Sequence, residues 1–350
     1  MVNFDKRFQS ISADVLSRVA KIDEIKGRWT EGVALSPQLL GRLKRSVLIT
    51  SSGASTRIEG ARLSDEDVEN FIKGLKVNKL KDRDKQEVKG YYELLENVFN
   101  AWKTIRFNES SVKHLHKELL KYVEKDARHR GEYKVTENHV EMFDAKGRSV
   151  GIVFETTPAY LTPKETQELL SWTEKALQEK QYHPLLIIGN FIIQFLQIHP
   201  FQDGNGRLSR ILTNLLLLKN YYGFVPYVSH EKIIEDTKDE YYLALRKSQR
   251  TFGKQENITP WLEYFLKVLE AQAISAINML QEEKVEMLLS PKQLLVWEYL
   301  LSVSEATAGD IVRETEVVRP TVNQILDKFL KMKKVDRIGM GRATRYRVKK

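Results

Sequence analysis

Two apolar runs, LLIIGNFIIQFLQI at 185–198 and RLSRILTNLLLL at 207–218, are joined by only the eight residues HPFQDGNG. The first run is interrupted by Asn190 and Gln194 and is too short to cross a bilayer, so it reads as a helix ending near Ile198 and buried within the protein. A second apolar helix begins near Arg207. Two adjacent buried helices need others to cover them, and the chain supplies these. Apolar residues recur at helical spacing in VLSRVAKIDEI (15–25), LLGRLKRSVLI (39–49), EDVENFIKGL (66–75), YYELLENVFNAW (91–102) and VKHLHKELLKYV (112–123), and again from Lys164 onward. The expected fold is mainly α, a helical bundle. The exception is 135–163, where β-branched and aromatic residues flank the turn-forming DAKG, so a hairpin over roughly 140–154 is expected as an accessory flap. No internal repeat is evident.

A chain of 350 residues is long enough for two or three domains with a full core. It has no cysteine, which excludes a disulfide framework, a thiolate metal site and a thiol nucleophile, and agrees with a cytoplasmic location. The start, MVNFDKRFQ, lacks the apolar region of a secretion signal. No membrane association is expected. The net charge of +9 is uneven: residues 291–350 hold 13 Lys/Arg against 7 Asp/Glu. That tail needs its own explanation.

The turn between the two apolar helices concentrates chemistry. Gly204 and Gly206 permit φ > 0 and close approach of a ligand, and a helix start beyond them offers N–H groups and a dipole to an anion. Arg207 and Arg210, three apart, can both reach that anion. Asp203 offers a hard oxygen of the kind Mg²⁺ takes when phosphates complete its shell. His199 can accept a proton from a hydroxyl at neutral pH. The glycines do not make a dinucleotide fingerprint, because the motif lies between helices and Ser209 stands where the third glycine would be. His114 and His116, two apart, diverge on a helix and read as surface or packing residues.

HPFQDGNGRLSR at 199–210 resembles the signature of the Fic family, H-x-F-x-D/E-G-N-G-R-x-x-R, with every fixed position filled. The resemblance implies an α-helical fold and transfer of AMP from Mg-ATP to a Ser, Thr or Tyr hydroxyl of a protein, the chain itself included. It makes His199 the base, Phe201 the loop's anchor and Asp203 the magnesium ligand. Gly204, Asn205, Gly206, Arg207, Leu208, Ser209 and Arg210 would cradle the phosphates, with Arg207 and Arg210 favouring the departing charge. DEYYLALRKSQ (239–249) is similar to the family's adenosine pocket, through Tyr241, Tyr242, Leu245 and Gln249. The hairpin is similar to the family's flap, whose edge pairs with a target segment.

STRIEG at 55–60 admits two readings. As local structure it is a helix start, capped by Ser55 or Thr56 with Glu59 closing a capping box. It also resembles the family's inhibitory motif, S/T-x-x-x-E-G/N, as Ser55, Glu59 and Gly60. That resemblance implies a bidentate pair between Glu59 and Arg210, which takes the arginine away from the γ-phosphate.

After a long helix to about Leu289, the segments 290–301, 307–315 and 319–333 read as three short helices followed by the basic ribbon 335–350. This order resembles a winged helix-turn-helix, with 319–333 as recognition helix, Gly339–Arg342 at the wing tip, and Arg319, Arg337, Arg342, Arg345 and Arg347 available to phosphates. Such modules bind DNA or dock proteins, including a second copy of the chain. The expected organisation is an N-terminal inhibitory region at 1–110, a Fic core at 111–270, a connecting helix at 271–289 and a winged helix at 290–350. Two functions fit it: an autoinhibited adenylyltransferase, or a DNA-binding transcriptional regulator whose core senses nucleotide.

Overall fold

The computed structural model describes residues 4–9, 11–32, 37–74, 82–143, 149–286, 289–332, 334–339 and 344–349. It divides into two compact units, Met1–Ile277 and Asn278–Lys350. The first is mainly helical, with α1 (Ala13–Gly32), α2 (Pro37–Ile58), α3 (Asp65–Ile72), α4 (Asp82–Ala101) and α5 (Glu109–Leu119) preceding a hairpin. The hairpin pairs β1 (His139–Phe143) antiparallel with β2 (Ser149–Glu155), with His139 opposite Glu155 and Phe143 opposite Ser149. Its turn residues 144–148, including the DAKG signal, lie outside the described residues. Then come α6 (Thr162–Glu179), α7 (Pro184–Ile198), α8 (Asn205–Lys219), α9 (His230–Asp236), α10 (Lys238–Gln249) and α11 (Thr259–Glu286).

The centre of this unit is α7, buried almost along its whole length. Proline in the first turn suits its start, where no N–H is needed, and α6 and α8 pack against it. The two polar residues that interrupt its apolar run are both met by one side chain. Arg7 donates to Asn190 Oδ1 at 2.7 Å and to Gln194 Oε1 at 2.7 Å. The two amide oxygens buried inside an apolar helix are thereby met, while Asn190 Nδ2 stays without a hydrogen-bond partner. At the other end, His199 takes the left-handed conformation with φ 53°, and Gly204 follows with φ 79° before α8 begins. These two reversals fold the polar turn back over the helix end.

The capping reading of STRIEG is not what the structure has. Residues 50–58 are the last turns of α2, not a helix start. Of the two hydroxyls that suggested a cap, Thr56 bonds backwards inside the helix to Ser52 O at 2.9 Å, and Ser55 accepts from Arg210 Nε at 2.8 Å. Glu59 and Gly60 form the turn that ends it, Gly60 with φ 97°. A capping box does occur one helix later, between Ser64 and Asp67 at the start of α3. Polar residues mark a helix terminus locally, but burial of α2 against α4 and α9 lets the helix run through them.

The second unit contains α12 (Pro291–Ser302), α13 (Ala308–Thr315), α14 (Arg319–Lys331), β3 (Val335–Ile338) and β4 (Arg345–Val348). The two strands pair antiparallel, and a bridge from Ala306 to Tyr346 ties the segment before α13 to their edge. Trp297, Ile311, Val322, Leu326 and Phe329 form its own core, with the Trp297 and Phe329 rings edge to face at 5.3 Å. The tip residues 340–343, Arg342 among them, lie outside the described residues.

Candidate active site

The turn 199–206 is built around two aromatic and amide anchors. Phe201 is fully buried and stacks on His116 with ring centroids 3.8 Å apart and planes 7° from parallel. Asn205 closes the turn on itself: Oδ1 accepts from Phe201 N at 2.9 Å, and Nδ2 donates to Phe201 O at 2.7 Å. The Asn205 side chain is thus spent on the backbone, and its helix-start position leaves the main chain of 204–206 to face an anion. Leu208 and Ser209 are buried on α8, the Ser209 hydroxyl bonded to Gly206 O at 2.7 Å.

His199 is half-buried at the mouth of this turn. Its Nδ1 lies 3.2 Å from Leu196 O, and because a carbonyl can only accept, the proton sits on Nδ1 and Nε2 keeps a lone pair. Burial pulls the imidazole down to about 4, and the Lys134 ammonium adds to that while the Leu196 carbonyl opposes it. The ring is therefore an uncharged base at neutral pH.

Four charged side chains alternate in sign beside the turn. Asp203 Oδ1 accepts from Gly204 N at 2.5 Å and from Arg207 Nη2 at 3.1 Å, and Oδ2 lies 3.2 Å from Arg83 Nη2. Glu87 on α4 completes the ring, 2.8 Å from Arg83 and 3.0 Å from Arg207. Burial alone would raise the Asp203 carboxyl, but Arg207, the Gly204 amide and Arg83 hold it below the usual range. Arg207, almost fully buried, is held above its ordinary value by Glu87 and Asp203 despite desolvation.

Arg210 is also buried, and three oxygens surround it. Its Nε donates to Ser55 Oγ at 2.8 Å, and Nη2 donates to Ser55 O at 3.0 Å and to Glu59 Oε1 at 2.7 Å. The bidentate pair expected of Glu59 is thus a single contact: Ser55 takes Nε and shares Nη2, and Nη1 is buried without a hydrogen-bond partner. Gly206 explains how the carboxylate comes so close. A Cβ there would lie 2.3 Å from Glu59 Oε1, so only glycine leaves the space. Gly206 sits inside α8 and does not use a positive φ, unlike Gly204.

The stripe on α10 is core-like in its packing. Tyr241, Tyr242, Leu245 and Gln249 are all buried, and Tyr241 stands among Tyr242, Trp261 and Tyr264 with ring centroids 5.2–5.9 Å apart. Both amide atoms of Gln249 are buried without a hydrogen-bond partner. A satisfied core glutamine would not leave them so. Tyr241 lines a small cavity together with Arg210, Ser209 and His230, which places this one residue of the stripe beside the arginine.

A scan against family models matches residues 106–217 to the Fic/DOC family. A Fido domain-containing protein of Dictyostelium discoideum is 36% identical over 113 residues, which are 29% of this chain and 70% of that protein. The chain belongs to the Fic/DOC family. A probable protein adenylyltransferase of Aquifex aeolicus is 30% identical over 121 residues, a third of this chain (33%) and 36% of the relative. The crystal structure of a Fic family protein from Desulfovibrio desulfuricans G20 superposes with a TM-score of 0.64 at 25% identity, covering 97% of each chain. The Fic likeness thus runs well beyond the matched segment.

The geometry brings His199, Asp203, Gly204, Gly206, Arg207 and Arg210 to one end of α8, with Ser55 and Glu59 set against Arg210 and Gly60 in the turn that ends α2. Four residues there carry no sequence signal: Arg83, Glu87, His116 and Lys134. His116 is not a surface or mere packing residue. Its Nδ1 accepts from Gly131 N at 2.8 Å, which fixes the proton on Nε2 to donate to Asp203 O at 2.9 Å. Among the described residues no group of three or more His, Asp or Glu converges for a metal. The single carboxylate of Asp203 suits a hard cation that draws its remaining oxygens from phosphates and water.

Proposed function

We propose that the chain is a protein adenylyltransferase that moves AMP from Mg-ATP to Ser, Thr or Tyr hydroxyls of proteins. The observation that carries this is the neutral His199 with Nε2 free, next to a helix start and two guanidinium groups that suit a polyphosphate. In the proposed step a bond forms between the hydroxyl oxygen and the α-phosphorus, while the bond from that phosphorus to the oxygen leading to the β-phosphate breaks. The hydroxyl proton goes to His199 Nε2 and pyrophosphate leaves. The 204–206 backbone and Arg207 hold the phosphates, and Arg210 stabilises the charge that builds on the leaving group. Asp203 would hold magnesium, which supplies charge neutralisation on the phosphates when bound. Tyr242 and Gln249 fit a role beside the adenosine, supported by the unpartnered amide of Gln249.

We further propose that the chain is autoinhibited, the region 1–110 acting on a core at 111–270. Glu59 holds Arg210 and places a carboxylate where ATP's own charge would lie. The test is incubation of the purified chain with α-labelled or γ-labelled ATP, with Glu59 intact or replaced by glycine. Label from the α position alone, stronger in Glu59→Gly, is the expected result. Label from the γ position would instead mean phosphoryl transfer.

A second reading attaches to residues 290–350, linked to the core through 271–289. There α14 exposes Arg319, Asn323 and Gln324, residue types that read phosphate and base edges, as the recognition helix of a winged helix would. We propose duplex DNA as its partner, with a DNA-binding, nucleotide-sensing regulator as the alternative to an enzyme. Loss of a salt-sensitive DNA affinity on deleting 290–350 is the expected result, and loss of self-association alone would favour dimer formation.

A further inference from the structure

Lys134 is only 3% exposed, yet the groups that meet its ammonium carry no charge. Its three protons are matched to three neutral oxygens: Asn138 Oδ1 at 2.8 Å, Thr156 Oγ1 at 2.8 Å and Ile198 O at 3.0 Å. Its main-chain N–H donates to Pro200 O at 2.9 Å. One residue therefore grips the carbonyls on both sides of His199. Burial pulls the ammonium down to about 8, with Glu137 and Glu165 opposing from farther away.

Burying an ammonium without a carboxylate is costly, and an apolar side chain of the same length would avoid the cost. What the cation gains is its place. Ile198 O is one of the last carbonyls of α7, where the helix end is negative. His199 follows in a left-handed conformation that a side chain disfavours, so the residues around it must hold it there. The same cluster laces the hairpin to this point. Asn138 Nδ2 donates to Phe201 O at 2.9 Å, and Thr156 Oγ1 donates to Asn138 O at 2.7 Å. Thr157 N donates to Gln197 O at 3.1 Å, and Gln197 Nε2 donates to Glu155 O at 3.0 Å.

We propose that Lys134 is a positioning residue that locks the base of the β1–β2 hairpin and the main chain around His199 into one body. The consequence for catalysis rests on reading His199 as the base. The proposal itself does not, so it is tested without any transfer assay. Full-length protein with ¹³C-labelled histidine would be titrated by NMR, with His199 assigned from its loss in His199→Gln, and hairpin amide exchange would be followed by mass spectrometry. In Lys134→Met the His199 midpoint should rise by about half a pH unit or more, and exchange over 139–143 and 149–155 should speed up about tenfold while α7 and α8 keep their protection. Lys134→Arg, which keeps charge and donors, should recover most of both. Thr156→Val removes one acceptor without touching the lysine and should give the same two changes at smaller size. A folded Lys134→Met, or should that variant not fold, a folded Thr156→Val, with both readouts at the wild-type values overturns the proposal. Faster exchange spread evenly over the unit with His199 unmoved also overturns it, since that is what a merely structural lysine would give.

Discussion

The two arginines of the 199–210 motif sit one helical turn apart and are each held by a glutamate, but the two glutamates are different things. Glu87, which holds Arg207, is buried in the middle of α4 and also carries Arg83. Glu59, which holds Arg210, stands just past the end of α2, its side chain 30% exposed, and makes one contact beside Ser55. The first pair belongs to a closed ring of four charges in which removing a buried member strands its neighbours. The second sits on the turn that ends α2, partly exposed to solvent. On the proposed reading the same kind of ion pair is fixed scaffold on one arginine and a detachable stop on the other.

The largest effect that tests this contrast is on stability. Glu87→Ala leaves Arg207 buried with only Asp203 to answer it, and should cost about 3–5 kcal/mol by chemical denaturation, the range for stranding one partner of a buried pair. Glu59→Gly also takes a carboxylate from a buried guanidinium, but Ser55 still accepts two bonds from Arg210 and the Glu59 side chain is 30% exposed, so the cost should be smaller, about 1–3 kcal/mol. Equal costs for the two would erase the distinction.

Activity should show the reverse order. Glu59→Gly is expected to raise transfer from α-labelled ATP roughly ten- to a hundredfold, the size of an ordinary coupling between sites. Adding Arg210→Ala should remove most of the gain, because both changes act through one guanidinium. A gain that survives in the double variant would mean that Glu59 acts on something other than Arg210.

The pH dependence separates the scaffold side further. His116, buried against Phe201 and tied to Asp203 O, is pulled down to about 4 by burial. Its folded value lies below the ordinary one, so the unfolded chain binds more protons between the two. Stability should be full above about 6.5 and fall as the pH drops toward 4, by about 1.5 kcal/mol between 6.5 and 5 from this group alone. In magnesium-free buffer, His116→Gln should flatten that slope. An unchanged slope would mean that other groups, His230 and His199 among them, carry the acid loss.

What could be read in the sequence follows the range of the interactions. The helix–turn–helix at 185–218 was legible because periodicity and glycine act within a few residues, and the hairpin was legible for the same reason. The end of α2 was not, since the same serines and threonines serve as caps at a surface and as back-bonding residues in a buried helix. Glu87, Arg83, His116 and Lys134 reach the turn from 64 to 120 residues away along the chain, as the separations of Lys134 from Ile198 and of Arg83 from Asp203 show. Only the packing of α4, α5 and the hairpin base around α8 brings them there. The bidentate pair expected of Glu59 is a single contact in the structure, with the Ser55 hydroxyl on Nε and the Ser55 carbonyl sharing Nη2.

Arg83 gives the smallest and sharpest test. It is half exposed and joins the ring from its outer side, through Glu87 and Asp203 Oδ2. If the ring were uniformly structural, its loss would weaken everything attached to it. Exposure argues otherwise, because a solvated guanidinium contributes little to the fold and its contact at 3.2 Å uses the Asp203 oxygen that a hard cation would need. Arg83→Ala should therefore leave stability nearly unchanged and tighten magnesium-dependent nucleotide binding, by about two- to fivefold in a calorimetric titration at fixed ATP analogue, the scale of a surface ion pair. Weaker binding in this variant would place Arg83 among the phosphate contacts. Unchanged binding, with Asp203→Ala still weakening it, would mean that the metal uses Oδ1 and the ring opens on the Arg207 side instead.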